Sequence, residues 1–168
     1  EAQDLAQLGR WELTLPDNRL RACPRATDLL GLPDGGVALG GYRLLRAQVS
    51  AEDREALRAV TRRALRRGDT YDIRYAVRMP DGGLRHVRER ARGVVDAMAR
   101  VRRLVGTVQD VSVQVGQVER IRRLALYDHL TGLPNRAQFY QVLEETLLGA
   151  SIDGSSFCVL FIDLAGFT

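Results

Sequence analysis

Side chains able to do chemistry are few in this chain and far apart. Cys23 stands beside Pro24 and Cys158 inside an apolar run, so each reads as a buried or incidental thiol rather than half of a disulfide or a metal site. His86 shares a strand face with Arg88 and Arg90, which suits a surface-sheet histidine better than a haem ligand, since a ligand needs an apolar pocket around it. Asp163 directly follows Phe157-Cys158-Val159-Leu160-Phe161-Ile162. A carboxylate in that place is a hard oxygen donor of the kind magnesium takes, although a strand-end aspartate taken alone is usually a turn residue.

Charge and composition narrow the partners. The formal charge is +4 and the pI about 9.6, yet all 25 basic residues are arginine and they are interspersed with 21 acidic ones. That pattern reads as a coding preference rather than a phosphate-binding face, so nucleic acid is not expected as a partner. The densest cluster, Arg62, Arg63, Arg66 and Arg67, lies opposite Leu57, Val60, Ala64 and Leu65 on a helix and reads as its solvated side. No apolar run reaches the roughly 18 residues of a membrane span, and the first residues are too polar for a signal peptide, so the cytoplasm is the expected compartment.

The elements that position these residues follow from periodicity. Residues 1–8 read as the end of a helix. Trp11, Leu13 and Leu15 alternate with polar neighbours as a strand, and Pro16-Asp17-Asn18 turns the chain into a second strand over 19–22. Residues 24–30 read as a short helix closed by Gly31, and residues 33–41 as a loose segment, because their glycines oppose regular structure. Ser50 is the expected cap of a helix that Gly68 ends. Three antiparallel strands follow, over 71–79, 84–95 and 101–111, the first two joined at Pro80-Asp81-Gly82-Gly83. The resulting layout is α+β, with helices packed on one face of the sheet.

Beyond it, Val111, Val115, Val118, Ile121 and Ala125 step by three and four residues, the seam of a short parallel coiled coil over residues 113–127. Gly116 weakens that helix near its start by about 1 kcal/mol relative to alanine. Thr131-Gly132-Leu133-Pro134 ends it, and a second helix starts at once, with Asn135 as cap, Gln138 completing a capping box, and Phe139, Leu143 and Leu147 as its apolar stripe. Helix, sharp turn and capped helix can pass rotation between domains. Residues 157–162 then read as a central strand buried on both faces.

Two resemblances organise these elements. Gly9-Arg10-Trp11-Glu12, Asp28-Leu29-Leu30-Gly31, Glu52-Asp53-Arg54, Pro80-Asp81-Gly82 and Gly106-Thr107-Val108-Gln109-Asp110-Val111 resemble a PAS domain over residues 9–112. The resemblance implies a five-stranded antiparallel sheet with helices on one face. It also implies an Asp-Ile-Thr-like link, here Asp110-Val111-Ser112, into a signalling helix over 113–127, with Arg88 as the partner of Asp110. Cys23-Pro24-Arg25 lacks the setting of the flavin-binding pattern, so no tightly bound chromophore is expected, and the PAS ligand stays unknown.

Asp128-His129-Leu130-Thr131-Gly132-Leu133-Pro134-Asn135-Arg136 resembles the opening of a GGDEF domain, the diguanylate cyclase family, here over residues 128–168. The resemblance implies that Asp128 and Arg136 brace the turn, together with Thr131, Gly132 and Asn135, that the first helix and strand of an α/β domain follow, and that Asp163 is a magnesium ligand. The expected function is a sensory module controlling condensation of two GTP into cyclic di-GMP. A homodimer through the flanking and linker helices would bring two catalytic domains together. Ala165 and Thr168 replace the family's second aspartate and its lysine, and the chain ends before the GGDEF motif, so this piece alone is expected to make no product. The alternative is a non-enzymatic relay built on a degenerate GGDEF domain.

Overall fold

The computed structural model describes residues 8–33, 36–162 and 166. The chain divides into one unit up to Gly116 and a second from Gln117. The helix end expected over residues 1–8 lies outside the described residues except for Leu8, which is the first residue of a strand.

In the first unit, β1 (Leu8–Thr14), β2 (Arg19–Ala22), β3 (Val37–Leu39), β4 (Thr70–Arg78), β5 (Leu84–Val95) and β6 (Val101–Asp110) form one sheet in the order β3-β2-β1-β6-β5-β4. Pairing is antiparallel throughout. Five of these strands make the expected sheet, and β3 is a short addition at its edge. The loose segment read over residues 33–41 is thereby corrected: Val37 pairs with Arg21 and Leu39 with Arg19. Glycines bracket that strand rather than dissolve it, since Gly36 and Gly40 take positive φ (65° and 72°) and turn the chain on either side.

Alternation along the strands sets the two faces of the sheet. Trp11, Leu13, Leu20, Tyr71, Tyr75, Val87, Ala91, Leu104 and Val108 point into one core with Ala26 and Leu29 of α1 (Pro24–Leu29) and Leu57 and Ala64 of α3 (Arg54–Arg67). Burial of each large side chain contributes about 1.5–3 kcal/mol. The Trp11 indole lies over Gly106, where an added Cβ would sit 2.6 Å from two of its ring carbons, so only glycine fits. A short helix, α2 (Gly41–Ala47), follows β3.

The arginines of α3 at 62, 63, 66 and 67 are exposed, as its amphipathic pattern requires. Its capping position falls three residues past Ser50, the expected cap. Helix α3 begins at Arg54 with Asp53 as the capping position, and Ser50 Oγ accepts from the Asp53 amide at 3.3 Å while donating to Asp53 Oδ2 at 2.8 Å. The same carboxylate oxygen accepts from the Ala76 amide at 2.7 Å, so the Ser50–Asp53 pair secures the outer edge of β4.

Helix α4 (Ser112–Leu126) leaves β6 at once and buries none of its side chains. In the second unit, α5 (Arg136–Asp153) is likewise without a buried residue. Residues 157–162, expected as a central strand, form none, and all six side chains are exposed. A strand buried on both faces needs paired neighbours, and none of the described residues supplies one. Asp163, Ala165 and Thr168 lie outside the described residues.

Candidate functional site

Inside the sheet–helix core lies a polar group that sequence reading did not single out. Glu89 continues the inward alternation of Val87 and Ala91 and is buried. Tyr71 and Tyr75 donate their hydroxyls to its two oxygens at 2.5 and 2.6 Å. Burial pushes the Glu89 acid up, and the two tyrosine hydrogen bonds and the Arg46 charge only partly oppose this. The surrounding chamber, lined also by Trp11, Arg46 and Thr61, has a volume of about 20 Å³, roughly the room one water needs. Among the described residues, Trp11 Nε1 and Arg46 Nη2 are buried without a partner. The signal available in sequence was a glutamate at an inward strand position.

The outer face of the sheet is different in character. Asp72 accepts from Arg88 Nε at 2.8 Å and Nη2 at 2.6 Å, and from Arg90 Nε at 2.6 Å. Hydrogen bonds from Arg88 and Arg90, with their charges, hold the Asp72 carboxyl well below the usual range. An open groove of about 760 Å³ crosses the same face past Arg10, Arg21, Arg92 and Cys23. The Cys23 thiol is half-buried and accepts from the Arg10 amide at 3.1 Å. Burial acts to raise it, and the amides of Arg10, Ala26 and Arg25 outweigh that and lower it. Cys158 is exposed.

The expected Arg88–Asp110 pair is not formed. Asp110 stands opposite Val87 in the β5–β6 register and Arg88 opposite Gln109, so Asp110 and Arg88 point to opposite faces. The cation near Asp110 is Arg85, whose Nε lies 3.7 Å from Asp110 Oδ2. The other oxygen of Asp110 accepts from the Ser112 amide at 2.8 Å, closing the turn from β6 into α4. Ser112 Oγ accepts from the His86 amide at 3.0 Å, and the His86 carbonyl accepts from Val111. Asp110 and Ser112 therefore tie the root of α4 to the start of β5, with His86 contributing its backbone. Burial tends to raise the Asp110 acid, but hydrogen bonding from Ser112 and the Arg85 charge hold it below its ordinary value.

At the joint after α4, Asp128 Oδ1 accepts from the amides of Leu130 (3.1 Å) and Thr131 (2.9 Å) and from the Thr131 hydroxyl (2.8 Å). Its own amide donates to the Leu133 carbonyl at 2.8 Å, and Gly132 takes φ of 70° to close the turn. Asn135 caps α5, accepting from Ala137 (2.9 Å) and Gln138 (3.2 Å), and its side-chain amide donates to the Ala125 carbonyl at 2.8 Å. The reciprocal half of the capping box is absent. The Asn135 amide is already committed to the Leu126 carbonyl at 2.9 Å, and Gln138 Oε1 is buried without a partner among the described residues. Arg136 lies over the Tyr140 ring at 5.5 Å, and no Arg136–Asp128 ion pair occurs among the described residues. Asp128, Thr131, Gly132 and Asn135 thus share one hydrogen-bonded joint that Arg136 does not enter.

A family model described as the PAS fold matches residues 19–108, and one described as the diguanylate cyclase GGDEF domain matches residues 125–168. A search of curated proteins finds no significant match. Among solved structures, a sensory box histidine kinase/response regulator from Burkholderia thailandensis is 22% identical with a TM-score of 0.62, covering 72% of this chain and 89% of that one. The N-terminal domain of a diguanylate cyclase with a PAS/PAC sensor from Marinobacter aquaeolei is 19% identical with a TM-score of 0.55, covering 64% and 98%. A domain of a light and redox sensing histidine kinase described as tentative in function, from Haloarcula marismortui, is 16% identical with a TM-score of 0.56, covering 66% and 95%. At these identities the likeness is one of fold.

Proposed function

The chain belongs to the PAS-fold family, with part of a GGDEF domain following, and from that premise we propose that it is a sensory module controlling a diguanylate cyclase, which condenses two GTP into cyclic di-GMP. The observation that carries this reading is the single helix, α4, that leaves the last PAS strand and runs into the capped joint opening the GGDEF match. Along it Val118 and Ile121 are each 66% exposed. They continue the three- and four-residue steps of Val115 and Ala125, an apolar seam suited to the same helix of a second copy. Pairing of that kind would bring two catalytic domains together, as a reaction joining two identical substrates requires.

Magnesium is the metal such a reaction uses, to neutralise charge on the triphosphate. Among the described residues no group of three or more His, Cys, Asp or Glu could hold a metal. The proposed ligand, Asp163, lies outside them, so its role rests on its position in the sequence. No described helix is long and apolar enough to cross a membrane, and GTP as substrate favours the cytoplasm.

Ala165 and Thr168, standing where the family has aspartate and lysine, favour a second reading in which the GGDEF domain is a non-enzymatic relay. Incubating a protein extended through a complete GGDEF domain with GTP and magnesium, and separating the products by chromatography, decides between them. Cyclic di-GMP from the extended protein supports the cyclase, and its absence there supports the relay. Sedimentation of the present chain at micromolar concentration tests pairing, and a monomer throughout would remove the coiled-coil argument.

A further inference from the structure

We propose that Arg85 is a positioning residue that couples the end of α1 to the root of α4, so that displacement of α1 loosens the first turn of the output helix. The guanidinium reaches both. Arg85 Nη1 donates to the Asp28 carbonyl oxygen at 2.8 Å and to Asp28 Oδ2 at 3.2 Å. Its Nε faces Asp110 Oδ2 at 3.7 Å, while Asp110 Oδ1 holds the Ser112 amide. One planar fork thus touches the last turn of a helix and the carboxylate that shapes the β6–α4 turn, which a lysine ammonium, a point donor, does not reproduce.

Both ends of this linkage reach the surface. Helix α1 has six residues and borders a surface cleft through Pro24 and Asp28, while Ala26, Thr27 and Leu29 are buried on its other side. Helix α4 buries no side chain and carries Gly116 in its second turn, so its first turn depends on its end contacts. Arg85 is only partly exposed, at 26% of its side chain, whereas Asp28 is 54% exposed. Exposed ion pairs of this kind are individually weak. The linkage is therefore a bias on a marginal helix end and not a rigid strut, as a reversible relay requires.

The inference rests on α4 being the output helix, but its test needs no catalysis, so a failure of the linkage and a failure of the cyclase reading are separate results. Amide hydrogen exchange is followed at Ser112 and Val115 in the whole 168-residue chain, where Val115 donates to the Val111 carbonyl at 2.9 Å. Arg85→Leu is expected to speed exchange at both amides about tenfold, and Asp28→Asn, which keeps the backbone carbonyl, about threefold. The deciding result is the double variant: if Asp28 acts through Arg85, Asp28→Asn adds nothing in the Arg85→Leu background. Arg85→Lys should restore only part of the protection, and Arg88→Leu, on the opposite face, should change neither amide. An unchanged Val115 in Asp28→Asn, or full additivity in the double variant, overturns the proposal. Should Arg85→Leu fail to fold, Asp28→Asn alone carries the decision, because its side chain is exposed.

Discussion

The two units of this chain use similar local signals and reach opposite ends. Up to Gly116, alternating strands and amphipathic helices close on each other, and Leu13, Leu20, Leu29 and Leu104 are almost wholly buried. From Gln117 onward the helices are equally well formed, and α5 is the better capped of the two, yet Leu148 is 67% and Ile152 87% exposed. Caps and propensity decide whether a helix forms. Only partner elements decide whether its apolar face is buried, and most helical stability in proteins comes from that burial.

The largest expected effect tests this contrast directly. Leu104→Ala removes a side chain that is 1% exposed and should cost the first unit about 2–5 kcal/mol, read by the fluorescence of Trp11, the single tryptophan, during denaturant unfolding. Leu148→Ala on α5 should leave that transition where it was. Equal losses from the two substitutions would mean that the two apolar populations are not distinct.

Glu89 supplies the next effect, one that depends on pH. Its folded-state acid is raised above the ordinary value of 4.5, so the fold favours the protonated form. The associated stability is fully present below about pH 4.5 and is lost as pH rises towards the folded value. Glu89→Gln, a neutral mimic of the protonated acid, should flatten this loss and unfold at higher denaturant than the parent at pH 8, with the gap closing near pH 4. A gap that widens on acidification would mean that the two tyrosines hold Glu89 as a carboxylate.

Much of this was legible in the sequence. The strand pattern, the stop at Gly68, the joint over residues 128–136 and the unbroken passage from β6 into α4 all follow from periodicity and turn chemistry, which are local. The readings that changed depended on what lies across the sheet. The PAS resemblance implies Arg88 as the partner of Asp110, but register places Gln109 opposite Arg88 and turns Asp110 to the other face. Gln138 has the right spacing for a capping box, yet the end of α4 takes the Asn135 amide first. Residues 157–162 have a strand composition without a strand to pair with among the described residues. Glu89 was passed over because an inward glutamate is recognisable only once its two tyrosines are seen beside it.

A smaller effect separates local from cooperative structure. Asn135→Ala removes an oxygen that accepts from two amides and a side-chain amide that holds the Ala125 carbonyl, and should cost about 1 kcal/mol of local helix stability. Helical circular dichroism should fall slightly, with faster amide exchange at Ala137 and Gln138. The Trp11 transition should not shift. A matching shift there would show that the two units unfold together.

The smallest effect is expected at Arg88, although it forms one of the two shortest ion pairs among the described residues of the first unit, 2.6 Å from Arg88 Nη2 to Asp72 Oδ2. Distance is a poor guide to stability where water competes, and both side chains are about one-third exposed or more. Asp72 also keeps Arg90 at 2.6 Å when Arg88 is removed, so Arg88→Leu does not strand a charge. Asp72 is held below its ordinary acid value of 3.8, so whatever stability the cluster contributes is present above about pH 3.8 and is lost as pH falls through the folded value. Arg88→Leu should therefore leave the unfolding midpoint unchanged within error at pH 7 and moderate salt, and should reveal a small loss only when salt is lowered and screening is relieved. A large, salt-insensitive loss would mean that Arg88 acts through packing across the strand pair, and the contrast between a buried core face and a solvated outer face of this sheet would have to be redrawn.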